Sequence, residues 1–251
     1  MKIICIIPAR LASTRFPRKV LSSVAGKPIL QWIWETACHY EAFDDVAFAI
    51  DSEETAKLIE TFKGHYFMTS PTCPSGTDRL IELMQSKKMQ GDIWVNWQGD
   101  SPCLKRALLD DLIYMIQTTH SDVWTLKYHI NKQEDILNPH IVKVVTNAAD
   151  EALYFSRSPI PYPRDKETTP PYYKHIGIYA YTQEALSQIA HLPPSPLEKI
   201  EMLEQLRYLE HGMTIKVHET HSPHFEIDHP EDILQASKHL ELLKQSQETM
   251  R

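Results

Sequence analysis

The chain has 251 residues, 42% of them hydrophobic, enough for one sizeable core. Its formal net charge is -7, from 26 Lys and Arg against 33 Asp and Glu, which argues against a general nucleic-acid binder. No apolar run approaches the roughly 18 residues of a membrane-spanning helix, and Lys2 leads into a short strand with no small-residue cleavage site, so a cytoplasmic protein with no membrane contact is expected.

Ile3 to Ile7 is a short apolar run that reads as a buried strand. Pro8 is expected to end it, because proline has no N–H to give a sheet. Arg10, Arg15, Arg18 and Lys19 then fall within ten residues, with Ser13 and Thr14 among them. Guanidinium forks, an ammonium and hydroxyls at the end of a buried strand suit phosphate oxygens, although a solvated basic loop has the same composition. Gly26-Lys27-Pro28 lacks the spacing of a Walker A loop. Pro28 suits the first position of a helix running to about Tyr40, with Ile29, Ile33, Trp34 and Ala37 on one face.

Val46 to Ile50 reads as a second strand, and Ser52 as the cap of the next helix, with Glu53 and Glu54 in its first turn. Tyr66 to Met68 is a short third strand. In the loop PTCPSGTDRL, Gly76 would let backbone approach a flat ligand, and Thr77 or Asp78 would cap the helix that follows. Asp92 to Gln98 is a fourth, central strand, and Gln98-Gly99-Asp100 stands at its carboxyl end. Open α/β sheets bind ligands there, so Asp100 sits where a metal carboxylate would be needed, though a turn aspartate would look the same.

Leu104 to His120 reads as a helix, Asp122 to Ile130 as a strand, Asn138-Pro139 as a turn and Val142 to Thr146 as a strand. In ALYFSRSPIP, residues 152–161, Arg157 suits either a fork onto a carboxylate or a surface ion pair. Pro161 to Pro171 reads as an exposed loop. Tyr173 to Tyr181 is a strand that puts His175, Gly177 and Tyr179 on one face. Leu197 to Gly212 reads as one helix with the stripe Met202, Leu203, Leu206 and Leu209, a polar face holding Glu204 and Gln205, and Gly212 at its end. His218, His221 and His224 follow no metal-binding spacing. Phe225 to Asp228 is a strand ending in a carboxylate, and the tail from Ile233 is an amphipathic helix. The four cysteines, Cys5, Cys38, Cys73 and Cys103, form no C-x-x-C pair and read as free thiols.

Across nearly its whole length the chain resembles the CMP-Kdo synthetases, the 3-deoxy-manno-octulosonate cytidylyltransferases. PARLASTRFPRK is similar to that family's PAR-x-x-S-x-R-x-P-G-K, and Ser75 to Arg79 match S-G-T-[DE]-R. WQGDSP stands for V-Q-G-D-E-P, and the segments at 138–145, 152–161 and 173–181 match further motifs. Asp228-His229-Pro230-Glu231-Asp232 stands for D-T-P-E-D. The chain departs from the pattern at Arg18 (glycine in the family), Trp97 (a smaller residue), Ser101 (glutamate) and His229 (threonine).

The resemblance implies a single-domain Rossmann-like α/β nucleotidyltransferase fold spanning 1–251, with a largely parallel central sheet and helices on both faces. The alternation of strands and helices supports that class independently. It implies activation of the acidic sugar Kdo with CTP, giving CMP-Kdo and pyrophosphate, for lipopolysaccharide biosynthesis. Arg10, Ser13, Arg15, Lys19, Ser75, Gly76, Thr77 and Arg79 would hold the nucleotide. Gln98, Arg157, His175, Tyr179, Glu204 and Gln205 would hold the sugar. Asp100 and Asp228 would hold Mg²⁺, and with Arg10 and Lys19 would form the catalytic set. Residues about 150–182 would add to the sugar pocket and to a homodimer contact. Other readings stay open: a cytidylyltransferase for 8-amino-Kdo or a nonulosonate, which Trp97, Ser101 and His229 allow, and a non-catalytic relative, against which both aspartates argue. An enzyme for sugar 1-phosphates would carry a glycine-rich opening loop that this chain lacks.

Overall fold

The computed structural model describes residues 1–12, 16–102, 105–165, 167, 170–222, 227 and 230–238. In chain order the elements are β1 (Ile3–Ala9), β2 (Ser23–Val24), β3 (Lys27–Pro28), α1 (Ile29–Cys38), β4 (Asp45–Ile50), α2 (Glu53–Thr61), β5 (Tyr66–Met68), α3 (Gly76–Gln85) and β6 (Ile93–Asn96). There follow α4 (Arg106–Thr118), β7 (Val123–His129), α5 (Gln133–Leu137), β8 (Lys143–Thr146), β9 (Ala152–Ser156), β10 (Tyr173–Thr182), α6 (Gln183–Ile189), α7 (Pro196–Glu201), α8 (Gln205–Glu210) and β11 (Ile215–Glu219). A last helix covers 232–238. The α/β class with a mostly parallel central sheet is the one predicted from the alternation of elements. The chain divides into two compact units, Met1–Arg106 with His224–Arg251, and Ala107–Pro223.

In the first unit β6, β1, β4 and β5 lie in that order and pair in parallel, and β2 and β3 form a separate antiparallel pair. β1 is buried along its whole length, as a strand covered on both faces must be. Parallel neighbours require crossovers, and α1, α2 and α3 supply them. Helix α1 buries Ile29, Leu30, Ile33 and Ala37. It stops at Cys38, earlier than predicted, and Pro28 is its N-cap rather than its first residue. Ser52 caps α2 through Glu54 N, as predicted. The cap of α3 is Ser75, not Thr77 or Asp78; Ser75 and Asp78 form a reciprocal capping box.

Pro8 does not end β1, which continues to Ala9 with Pro8 opposite Ala49. Pairing with β6 stops at Ile6 and Asn96. Pro8 therefore lies past the end of β6, where no ladder donor is required of it. Its carbonyl still accepts the Gly99 N–H at 3.2 Å. A Cβ on Gly99 would lie 2.7 Å from that carbonyl oxygen, so only glycine allows the approach.

The second unit is locally different. β7 pairs parallel with β11, but β10 pairs antiparallel with β7 and β8, and β8 antiparallel with β9. Register shifts in β10 between Ile176 and Tyr179. The Thr125 hydroxyl lies 3.0 and 2.8 Å from the carbonyls of Ile176 and Ile178, which satisfies backbone that the irregularity frees from the ladder. His175 and Tyr179 still share a face, with ring centroids 5.2 Å apart.

The single helix expected from Leu197 to Gly212 is two helices. Met202 adopts φ 53 and ends α7, and α8 starts at Gln205. The predicted stripe is broken with it: Met202 is 76% exposed, whereas Leu203 and Leu206 are buried. The break re-aims α8 so that Leu206 and Tyr208 face the core, and an ion pair between Glu198 and Arg207 ties the two short helices together. Gly212, at φ 76, follows the C-cap of α8.

These two left-handed positions predict substitutions of opposite sign. Gly212→Ala should lower unfolding free energy by about 1 kcal/mol, from the left-handed cost of a Cβ. Met202→Gly should not lower it, because little packing is lost and the same cost is relieved. Urea unfolding of both variants checks the pair.

Candidate active site

A pocket of about 310 Å³ opens at the carboxyl ends of β1 and β6 in the first unit. Its wall brings together Arg10, Lys19, Ser75, Gly76, Arg79, Gln98 and Asp100. All seven are residues that the sequence assigns to a site, drawn from three separate motifs. Ser13, Arg15 and Asp228, also assigned there, lie outside the described residues.

Each wall residue is placed by local structure. Arg10 follows β1 directly and is exposed. Ser75 and Gly76 are set by the capping box of α3. Gly76 packs against the Pro8 ring, where a Cβ would meet Cγ at 3.1 Å. Gln98 donates from Nε2 to Asn96 Oδ1 at 3.1 Å. Asp100 stands in the turn after β6, where the Ser101 N–H donates to the Gln98 carbonyl at 3.1 Å.

Lys19 is the central feature. It opens a single 3₁₀ turn, Lys19–Leu21, and is only 7% exposed. Its Nζ donates to Asp100 Oδ2 at 2.7 Å and to the Ile227 carbonyl at 2.7 Å. The Ile227 N–H donates in turn to the Asp100 carbonyl at 3.3 Å. One ammonium thus ties the basic loop, the metal-candidate turn and the residue before Asp228.

Arg18, where the related motif has glycine, adopts φ 60 and ψ 24. That is the left-handed region, which costs a side chain roughly 1–2 kcal/mol and glycine nothing. An exposed ion pair to Glu54 offsets part of this. The loop thus keeps a glycine-type conformation without the glycine.

Two predicted nucleotide residues are placed differently from the rest. Thr77 is buried and off the pocket wall, its hydroxyl 3.5 Å from Asn96 Nδ2. Arg79 reaches the wall, but its guanidinium is only 2% exposed and is bound to Asp51, Thr69 and Ser70. Asp51 is the residue that sequence reasoning passed over. An aspartate between a strand and a helix cap carries no motif, and its partners are 28 and 40 positions away.

Ser101 is 3% exposed and not on the pocket wall. Its carbonyl accepts the indole N–H of the fully buried Trp97 at 3.1 Å. In this chain two of the four departures from the family pattern, Trp97 and Ser101, therefore form one packing unit beneath the turn. The missing glutamate at 101 is a matter of packing here before it is one of pocket charge.

The remaining predicted sugar residues belong to the second unit. His175 Nε2 lies 2.9 Å from the Thr125 hydroxyl, and its ring meets Phe155 at 5.1 Å. Glu204 accepts from the Tyr208 hydroxyl at 2.5 Å, and Gln205 is buried. Arg157 donates to the carbonyls of Glu201, Pro139 and Met202 at 2.7, 3.0 and 3.4 Å. Neither a surface ion pair nor an open fork describes it; it pins a turn and the end of α7 to β9. Lys143 lies close by, donating to the carbonyls of Asn138 and Ile141. Burial lowers its pKa, and the charge of Arg157 lowers it further, against a smaller opposite pull from Glu201.

The three described cysteines all hold raised thiols. Burial pushes Cys38 up to about 11, and burial with a hydrogen bond to Glu82 pushes Cys73 up to about 11. Cys5 is buried and its thiol is raised well above the ordinary value. Among the described residues, no three His, Cys, Asp or Glu side chains gather to hold a metal.

A parallel α/β unit with a cationic, glycine-lined pocket at its strand ends is a nucleotide-binding architecture. Residues 4–215 match the family described as Cytidylyltransferase. The 3-deoxy-manno-octulosonate cytidylyltransferase of Thermodesulfovibrio yellowstonii is 43% identical over 249 residues, covering 95% of this chain and 98% of the relative. That of Geobacter metallireducens is 41% identical over 244 residues, covering 93% and 95%. A solved CMP:2-keto-3-deoxy-manno-octonic acid synthetase complexed with CTP superposes with TM-score 0.89 at 37% identity, covering 98% of this chain and 100% of that one. The chain belongs to the 3-deoxy-manno-octulosonate cytidylyltransferase family. A putative glucose-1-phosphate thymidylyltransferase from Bacillus anthracis, at TM-score 0.68 and 14% identity, shares the fold alone.

The Lys19 contacts set the first prediction for this site. Lys19→Met should lower stability by about 2 kcal/mol, the scale for losing hydrogen bonds to charged groups, and raise KM for CTP at least tenfold. Arg18→Gly should move neither by much, within about 1 kcal/mol. If Arg18→Gly proves as harmful as Lys19→Met, the loop works through Arg18 instead. Separately, Ser101→Glu should destabilise by more than about 2 kcal/mol, the cost of a carboxylate forced into a buried site. A Ser101→Glu protein that melts normally would show that residue 101 turns outward.

Proposed function

We propose that this protein activates Kdo with CTP, releasing pyrophosphate and forming CMP-Kdo for lipopolysaccharide biosynthesis. The observation that carries this reading is the pocket that gathers Arg10, Lys19, Ser75, Gly76, Gln98 and Asp100 in a chain of this family. The sugar's anomeric oxygen attacks the α-phosphorus, the bond to pyrophosphate breaks, and the hydroxyl proton is lost. No covalent enzyme intermediate is needed, so the protein's task is positioning and charge neutralisation.

Arg10 and Lys19 neutralise the triphosphate, with Ser13 and Arg15 of the same loop. Lys19 also holds the Asp100 carboxylate in place at 2.7 Å. Ser75 and Gly76 present the capped end of α3 to the nucleoside. On the sugar side of this pocket we place Gln98. His175, Tyr179, Glu204 and Gln205 belong to the second unit. Arg157 is committed to backbone carbonyls and serves to hold that unit's own turns.

The donor chemistry of the pocket fits a hard divalent cation. Asp100 supplies a carboxylate at the wall, and among the described residues no thiol or imidazole lines that wall. Mg²⁺ is typically held by one or two carboxylates together with substrate phosphates. Asp100 and Asp228 would be its protein ligands. When bound, such an ion neutralises the phosphate and lowers the pKa of a coordinated hydroxyl.

We also place the protein in the cytoplasm as a homodimer, with the whole chain 1–251 acting as one cytidylyltransferase. Among the described residues no helix is long and apolar enough to cross a membrane. The second unit exposes Leu137, Leu153, Tyr162, Ile200 and Met202, apolar surface that a second copy would cover.

Pyrophosphate release from CTP with Kdo, 8-amino-Kdo and a nonulosonate tests the reading. Turnover fastest with Kdo is expected, and turnover with none of them would defeat it. Asp100→Asn should cut kcat at least a hundredfold while the melting curve stays cooperative. Near-normal turnover of that variant at ordinary Mg²⁺ would remove Asp100 from the mechanism.

A further inference from the structure

We infer that Asp51 is a positioning residue for the nucleotide half of this site, setting the phosphate loop and the capped turn of α3 at a fixed separation. The inference rests on reading the pocket as the CTP site. Asp51 directly follows β4 and does not itself line the pocket. Its Oδ1 accepts the Leu11 N–H at 3.0 Å, and its Oδ2 accepts from Arg79 Nη2 at 2.8 Å. Leu11 is the residue after Arg10, so the first contact fixes the backbone that aims Arg10. Arg79 closes the first turn of α3, so the second contact fixes Ser75 and Gly76.

Arg79 is braced on its other side. Its Nη1 donates to Thr69 Oγ1 at 2.6 Å and to the Ser70 carbonyl at 3.2 Å. Thr69 is itself tied to the Ile50 carbonyl, through its N–H at 2.7 Å and its hydroxyl at 2.9 Å. One carboxylate and one guanidinium therefore join the segments that follow β1, β4 and β5 to the start of α3. Stability alone is a weak explanation for such a pair. Both side chains are nearly dry, at 2% and 9% exposure, and a buried ion pair often gains no stability over apolar residues of the same size. What the pair provides is geometry. Both of its contacts end on backbone or helix that carries a pocket wall, and small displacements of such walls cost large factors in substrate handling.

The test compares Asp51→Ala with Asp51→Asn, which keeps an oxygen for Leu11 but loses the charge facing Arg79. We expect Asp51→Ala to raise KM for CTP at least tenfold with KM for Kdo changed less than twofold. Asp51→Asn should fall between it and the wild type. CTP titrations by calorimetry, with no sugar present, should weaken by the same factors. A KM for CTP within twofold of wild type in folded Asp51→Ala protein would overturn the inference. So would a parallel rise of both KM values with a falling melting temperature, which marks a purely structural role. If neither variant folds, hydrogen exchange on the wild type decides: the Leu11 amide should be protected before CTP is added, and exchange at the rate of an exposed amide would overturn the proposal. A wild type that binds CTP but turns over no Kdo would defeat the sugar assignment and leave this inference standing, whereas a wild type that binds no CTP would defeat both.

Discussion

The buried ammonium of Lys19 is the constraint on which the site depends. It lies in a 3₁₀ turn yet bonds Asp100 and the carbonyl of Ile227, partners 81 and 208 positions away. Removing a lysine from water is costly unless its donors are used, and here two are used at 2.7 Å. The contacts close the basic loop over the end of the sheet. They also fix Asp100, the one carboxylate on the pocket wall among the described residues. In the proposed reading, Arg10, Ser75 and Gln98 work around that fixed point, because phosphate groups and the Asp100 carboxylate would have to meet there for in-line transfer.

The parallel sheet makes this possible. β1 outruns β6 at its carboxyl end, which leaves room for Pro8 and for the close approach of Gly99. The turn 98–101 then folds back beside the end of β1, with Trp97 filling the space beneath it. Pocket chemistry and core packing are thus joined through a few residues, and a change at Ser101 is felt first as packing.

Much of this was legible in the sequence, for physical reasons. Strands such as β1 and β4 declare themselves through continuous apolar runs, and the motifs at 10–19, 75–79 and 98–100 converge on one pocket. Arg18 was visible by resemblance only as a departure at a glycine position; the positive φ that it keeps came from the structure. Other features were hidden. Nothing in the helical pattern from 197 to 212 signals the break at Met202, because the apolar spacing continues through it. Ser75 was passed over as the cap because Thr77 and Asp78 are equally good capping types. The contacts of Asp51 and Arg157 could not be read. Their partners are distant in sequence, a backbone amide and the Arg79 guanidinium for Asp51 and backbone carbonyls for Arg157, and such pairings leave no local signature.

A crystal structure with CTP and Mg²⁺ bound tests the central claim most directly. The account predicts the triphosphate against Arg10 and Lys19, the nucleoside at Ser75 and Gly76, and the ion on Asp100. A nucleotide seated elsewhere, with the Lys19–Asp100 pair unengaged by phosphate or metal, would contradict it.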